Sequence, residues 1–330
     1  MPGVKRDFGC AVGSPLLSVA LLALAIFLCP VTTNNVNAAF PGSPGVIAVQ
    51  RSPDPRALSS EIWLFDWRTG AGHRLIQQGY DRRPAFSPDG NRVAFVSDVP
   101  RGWFNIWSIR ADGSGLRRLT KGWGEIGAES PSFSADGRWV AFSAKKPGGR
   151  RELQRVSSSG GRARTLVSVD PKVTAVDPSF SPDGKSLAWA QWREESNVPP
   201  RVYVGRSNGS GGRPVATGFD PEFSPDGRSL VFVRQGRCRG GGGLRTMIVA
   251  FSLDSGQQQL LKSTCGVERE ISDPVYSPDG GWIAYTASQG ERAEVAFVPV
   301  PGVFSLTTSL APLGMAPSIA LAPSWQPIPD

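Results

Sequence analysis

Short apolar runs of strand length recur along the chain, each cut off by Pro, Gly or Asp-Gly signals, a pattern of many strands joined by many turns. Five of these units are nearly superimposable. They are RPAFSPDGNRVAFVS from Arg83, SPSFSADGRWVAFSA from Ser130, DPSFSPDGKSLAWAQ from Asp177, DPEFSPDGRSLVFVR from Asp220 and DPVYSPDGGWIAYTA from Asp273. A truncated sixth, PSWQP, begins at Pro323. The anchoring prolines Pro84, Pro131, Pro178, Pro221, Pro274 and Pro323 recur about every 48 residues, the length of a four-stranded propeller blade.

Each copy reads as a structural sentence. An aromatic two positions after the proline (Phe86, Phe133, Phe180, Phe223, Tyr276, Trp325) marks a first strand. Asp-Gly then turns the chain, with Gly in the positive-φ position. A second strand follows, such as Arg92–Ser97 or Trp282–Ser288, and then a third, such as Asn105–Arg110, Arg201–Arg206 or Met247–Leu253. A short fourth, such as Arg117–Thr120, completes the unit. Near the amino end, Gly45–Arg51, Glu61–Trp67 and His73–Ile76 read as second, third and fourth strands with no first. PSWQP is a first strand with nothing after it. The fold expected is all-β: a six-bladed propeller over residues 39–330, closed by pairing the amino-terminal strands with one carboxyl-terminal strand. A solenoid or a sandwich is the structural alternative.

Residues 1–38 read as a signal peptide. Lys5 and Arg6 precede an apolar run from Pro15 to Cys29, and Val36-Asn37-Ala38 offers small residues for cleavage before Ala39. The alternative is an uncleaved anchor, although the run is short for a spanning helix. The expectation is an exported protein: periplasmic, cell-surface or secreted. In such a compartment Cys238 and Cys265 are expected to bond.

The repeat P-x-F-S-P-D-G-x-x-[IVL]-[AV]-[FWY] resembles the carboxyl-terminal propeller of TolB proteins over roughly residues 45–330. In TolB the propeller follows a smaller α/β domain that carries part of the contact with its membrane partners. Only about six residues separate the expected cleavage site from the first strand, which leaves no room for that domain. The resemblance therefore leaves a Tol-system role open. Similar propellers precede the hydrolase domain of prolyl-oligopeptidase-like enzymes, and the chain stops as its propeller closes.

The chemistry-bearing motifs reduce mostly to turns. Gly205-Arg206-Ser207-Asn208-Gly209 matches G-x-S-x-G but sits between strands, and no His follows it. Asn208-Gly209-Ser210 is a glycosylation sequon, meaningful in a eukaryotic secretory pathway. Arg239–Leu244 is glycine-rich without the Gly-Lys-Ser/Thr of a phosphate loop. His73, the one histidine, falls on an outer strand. The Asp of each Asp-Gly serves its own hairpin rather than a shared Ca²⁺ cage. No metal site and no cofactor are expected.

Charge adds one feature. The net charge is +8, and it gathers on two loops between second and third strands. Lys145, Lys146, Arg150 and Arg151 lie in one; Arg237, Arg239 and Arg245 lie in the other. Asp177, Asp220 and Asp273 precede anchor prolines, at the mouth of the central channel. Acidic at the axis and basic outside, this face is the expected binding surface. The Cys238–Cys265 pair would stiffen its glycine-rich loop. The function expected is a non-catalytic, monomeric module binding an envelope or extracellular protein or glycan, with nucleic acid excluded by export. The alternative is an extracellular carbohydrate-active enzyme or lectin using the channel-mouth carboxylates with Trp103, Trp123 and Trp192.

Overall fold

The computed structural model describes residues 41–328 apart from 53–58, 100–102, 121–126, 147–149, 195, 240–242, 267–268, 291 and 303–318. The expected signal segment lies outside the described residues. Six sheets follow one another along the chain. The first joins β1 (Ser43–Ser52), β2 (Glu61–Asp66) and β3 (Gly72–Ile76) to the last strand, β23 (Ile319–Ile328). Blade 1 is β4 (Arg82–Phe86), β5 (Arg92–Ser97), β6 (Asn105–Arg110) and β7 (Arg117–Arg118). Blade 2 is β8 (Ala128–Phe133), β9 (Trp139–Lys145), β10 (Arg151–Ser157) and β11 (Arg164–Val167). Blade 3 is β12 (Val173–Phe180), β13 (Ser186–Arg193), β14 (Arg201–Arg206) and β15 (Arg213–Thr217). Blade 4 is β16 (Phe219–Phe223), β17 (Ser229–Arg237), β18 (Leu244–Ser252) and β19 (Gln258–Cys265). Blade 5 has three strands among the described residues: β20 (Arg269–Tyr276), β21 (Trp282–Gln289) and β22 (Arg292–Pro299).

The burial pattern follows from the ring. Second strands such as β5 are buried on both faces, Val93 to Ser97 without interruption, because each blade is sandwiched between two others. Outermost strands such as β19 are largely exposed. The core is divided into clusters between neighbouring blades. Between blades 1 and 2, for instance, Val96, Ile106 and Leu119 pack with Phe133, Val140 and Phe142. Fully burying one such Phe contributes about 2 kcal/mol.

Closure is direct. β1 pairs antiparallel with β23, with Ile47 opposite Trp325 and Ala48 opposite Ser324. The closing sheet packs on both neighbours: Trp325 and Trp67 join Trp282 and Phe297 of blade 5, and Ile62 and Leu64 join Phe86 and Phe95 of blade 1. Side chains stitch the same seams. Phe86 N donates to Ser324 Oγ at 3.0 Å, Gln326 Nε2 to Gly90 O at 3.0 Å, and Ala322 N to Thr286 Oγ1 at 3.0 Å. The ring is thus the expected six-bladed propeller.

Two local expectations are adjusted. The Asp-Gly turn is part of a five-residue connection, 87–91 in blade 1. In blade 1, Ser87 Oγ donates to Asp89 Oδ1, which also accepts from Asn91 N at 3.1 Å, while Arg92 N donates back to Ser87 Oγ at 2.9 Å. The same pattern recurs at Ser134/Asp136, Ser181/Asp183, Ser224/Asp226 and Ser277/Asp279. In each, the Gly takes φ near +70°. The fourth strand of blade 1 is only Arg117–Arg118; beyond it Leu119 N donates to Ile106 O at 2.8 Å, and Ile106 N donates to the Thr120 side chain at 3.2 Å.

Candidate functional site

The anchor prolines build the axis. Pro lacks the N–H that a ladder needs, so it belongs at bulges. Every innermost strand breaks register around its proline, as between Val176 and Ser179 in β12. The residue before each proline takes φ near +50°: Arg83, Ser130, Asp177, Asp220, Asp273 and Ala322. This left-handed conformation is uncommon for residues with a Cβ and costs on the order of 1 kcal/mol each. The six positions line a central cavity of about 160 Å³.

Inside it the polar groups form a chain. Ser130 Oγ donates to Asp177 Oδ1 at 2.6 Å. Asp177 stands beside Asp220 on the cavity wall, close enough for the two carboxyl groups to interact. Asp273 N donates to Asp220 Oδ2 at 3.3 Å, and Arg83 Nη1 lies 2.9 Å from Asp273 Oδ1. Burial, and then the charges of Asp177 and Asp273, push Asp220 well above the usual carboxylate range. The Asp273 carboxylate, despite burial, raises Arg83 above its ordinary value. Glu222, half-buried on the same wall, is pushed up to about 7 by burial, against a hydrogen bond from Ser179 that lowers it.

Asp177, Asp220 and Asp273 are therefore brought together, but the axis is not simply acidic. Arg83 stands in the ring and Glu222 joins it, and neither was expected. Both leave a trace in the repeat alignment. Arg83 occupies the place that Asp holds in three copies, and Glu222 replaces the Ala, Ser or Val found at its position in the other units.

The basic residues form two separate groups. Strands alternate direction, so the loops between second and third strands and the loops between blades emerge at one end. In blade 2, Lys146 Nζ lies 2.9 Å from Glu152, and Arg151 lies 3.7 Å from Glu129 while donating to Gly127 O at 2.8 Å. Lys145 is exposed at the end of β9 and Arg150 is half-buried. Two of these four cations are thus paired, and Glu129 is shared with Arg82. In blade 4, Arg237 and Arg239 are exposed, and Arg245 donates to Ser263 Oγ at 3.4 Å. None of the three has a carboxylate partner among the described residues. A disulfide joins Cys238 to Cys265, with Cα atoms 5.8 Å apart, at the base of this hairpin. Of its glycine-rich tip, 240–242 lie outside the described residues.

The other candidates fall where turns and surfaces were expected. Asn208 Oδ1 accepts from Ser210 N at 3.0 Å in the β14–β15 turn, so the G-x-S-x-G match is a hairpin. His73 is exposed on β3. Trp103 is 46% exposed and Trp192 is half-buried on β13. Trp123 lies outside the described residues. Among the described residues, no group of three or more His, Cys, Asp or Glu is arranged to hold a metal ion.

Residues 56–198 match the family model of the TolB beta propeller domain. No curated protein sequence matches the chain. Among solved structures, TolB from Acinetobacter baumannii aligns with a TM-score of 0.64 at 20% identity, over 87% of this chain and 68% of that one. A putative TolB from Agrobacterium tumefaciens aligns at 0.58 and 18%, over 79% and 87%. Kuenenia stuttgartiensis hydrazine synthase aligns at 0.66 and 15%, over 89% of this chain but 49% of that one, so this chain spans about half its length. At such identities the likeness is one of fold. By its repeat and by its closed ring, this chain carries a TolB-like β-propeller.

Proposed function

We propose that the protein is an exported, non-catalytic binding module of the cell envelope or extracellular space. It engages an acidic protein or glycan with the end of the ring that carries the blade 4 hairpin. One observation carries the reading: among the described residues, Arg237, Arg239 and Arg245 stand without carboxylate partners on a hairpin pinned at its base by Cys238–Cys265. A pinned loop loses less entropy on binding, and unpaired guanidinium groups suit carboxylates. The likeness to TolB structures supports a protein partner in the envelope by analogy of fold. The blade 2 group contributes less, since Lys146 and Arg151 are already paired.

The test is retention of the purified propeller on an immobilised poly-glutamate peptide across a salt gradient. Changing Arg237, Arg239 and Arg245 together to Ser should release the protein at clearly lower salt. Unchanged retention overturns the proposal.

The axial carboxyl groups favour a second reading, an enzyme acting on an extracellular saccharide. Asp220 and Glu222 share one cavity, and both hold protons more tightly than an ordinary carboxyl. Turnover of oligosaccharides that is lost in Glu222→Gln would establish it; inertness toward neutral and acidic oligosaccharides would remove it.

A further inference from the structure

Away from the axis and the blade 4 hairpin, an open groove of about 520 Å³ runs between blades 3 and 4. Arg201 at the start of β14 and Arg234 on β17 both line it, so guanidinium groups from two neighbouring blades face one space. Pro214, Val215 and Ala216 supply apolar lining, and no carboxylate lines it among the described residues.

Elsewhere some half-buried guanidinium groups meet carboxylates, Arg82 and Arg151 at Glu129 and Arg83 at Asp273, while others such as Arg92 and Arg118 donate, among the described residues, only to a hydroxyl or carbonyl. Arg201 and Arg234 have no ion-pair partner among the described residues. Arg234 is nevertheless held in place. Its Nε donates to Thr217 O at 3.3 Å, its Nη2 donates to Gln258 Oε1, and its guanidinium lies 5.6 Å from the centre of the Phe232 ring. Those bonds leave the Nη1 donors unused. Arg201 is exposed, and its side-chain donors have no partner among the described residues. Two like charges facing one cleft repel each other, and an anion between them relieves the repulsion. A planar or tetrahedral oxyanion matches the guanidinium fork, with the body of its molecule against the Pro-Val-Ala wall.

We propose that this inter-blade groove binds a small ligand bearing a carboxylate or phosphate group, clasped between Arg201 and Arg234. The site shares no residue with the hairpin surface and stands independently of it.

The experiment is calorimetric titration of the full chain at fixed ionic strength with D-glucuronate and, separately, with inorganic phosphate; D-glucose is the uncharged control. Saturable binding of either anion is expected, with none of glucose. The tighter of the two anions identifies the favoured group. Arg201→Gln and Arg234→Gln should each weaken binding by about tenfold or more. Arg213→Gln removes the same charge from exposed β15 outside the groove and should leave affinity unchanged. Arg234→Lys keeps the charge but loses the fork, and should also weaken binding; it serves if Arg234→Gln fails to fold. Absence of saturable binding overturns the proposal. So does unchanged affinity in the groove variants, or an equal loss in Arg213→Gln.

Discussion

Replacing Glu222 by Gln should make the propeller more stable at pH 8 while changing little near pH 4.5. Burial in the axial cavity raises the carboxyl to about 7 from an ordinary 4.5, opposed by the Ser179 hydroxyl. Between those values the folded chain keeps a proton that the unfolded chain has released. The folded value is the higher one, so this group's contribution to stability falls as pH rises from about 4.5 to about 7 and is level above that. The interval corresponds to roughly 3 kcal/mol at a pH above both values, reduced to about 2 kcal/mol because the side chain is only half-buried. Gln has the same shape, still reaches Ser179 and never ionises. Asp220 titrates in the same direction, but it does so in both proteins and cancels in the difference. Urea unfolding followed by tryptophan fluorescence at pH 4.5, 6 and 8 reads the effect directly. Matched midpoints at pH 4.5 and a gap of about 2 kcal/mol at pH 8 are expected. A gap independent of pH, or a variant weaker than the parent at pH 8, would refute the reasoning.

Trp325→Ala should cost about 3 kcal/mol in urea unfolding, because this ring packs against Trp67 at 5.2 Å and Phe297 at 5.9 Å across the closing seam. Arg83→Ala should cost about 2 kcal/mol at neutral pH in urea unfolding by stranding the Asp273 carboxylate in the axial cavity. Burial raises Asp89, Asp136 and Asp183, but the hydrogen bonds from Ser87, Ser134 and Ser181 and from the turn backbone outweigh it and hold all three below the ordinary 3.8. Their stabilisation is present above that value and is lost as pH falls below it, so Asp183→Ala should cost about 1 kcal/mol at pH 7 and little at pH 2 by circular dichroism. Cys238→Ser should lower stability by roughly 3 kcal/mol, the closure entropy of a loop spanning 27 residues, and reductant should then have no further effect.

The architecture was legible in the chain because its signals are local and repeated. Pro, aromatic, Ser-x-Asp-Gly and an apolar run fall within fifteen residues, and the turn bonds they imply close within the same span, as between Ser87 and Arg92. Several predicted strands, among them Arg92–Ser97 and Arg201–Arg206, coincide with the observed ones for that reason. Closure was legible because the missing first strand at one end and the lone strand at the other are complementary. What tertiary structure decided is the chemistry where distant segments meet. Arg83 and Asp273 are 190 residues apart, and only a closed ring sets them 2.9 Å from each other. The raised affinity of Glu222 for its proton comes from burial in a cavity walled by the other blades. Lys146 and Arg151 read as part of a basic loop in the chain, and only the folded hairpins set Glu152 and Glu129 against them. Turn bonds act over a few residues and are written in order along the chain. Charge and burial act through space, and their values exist only once the ring has closed.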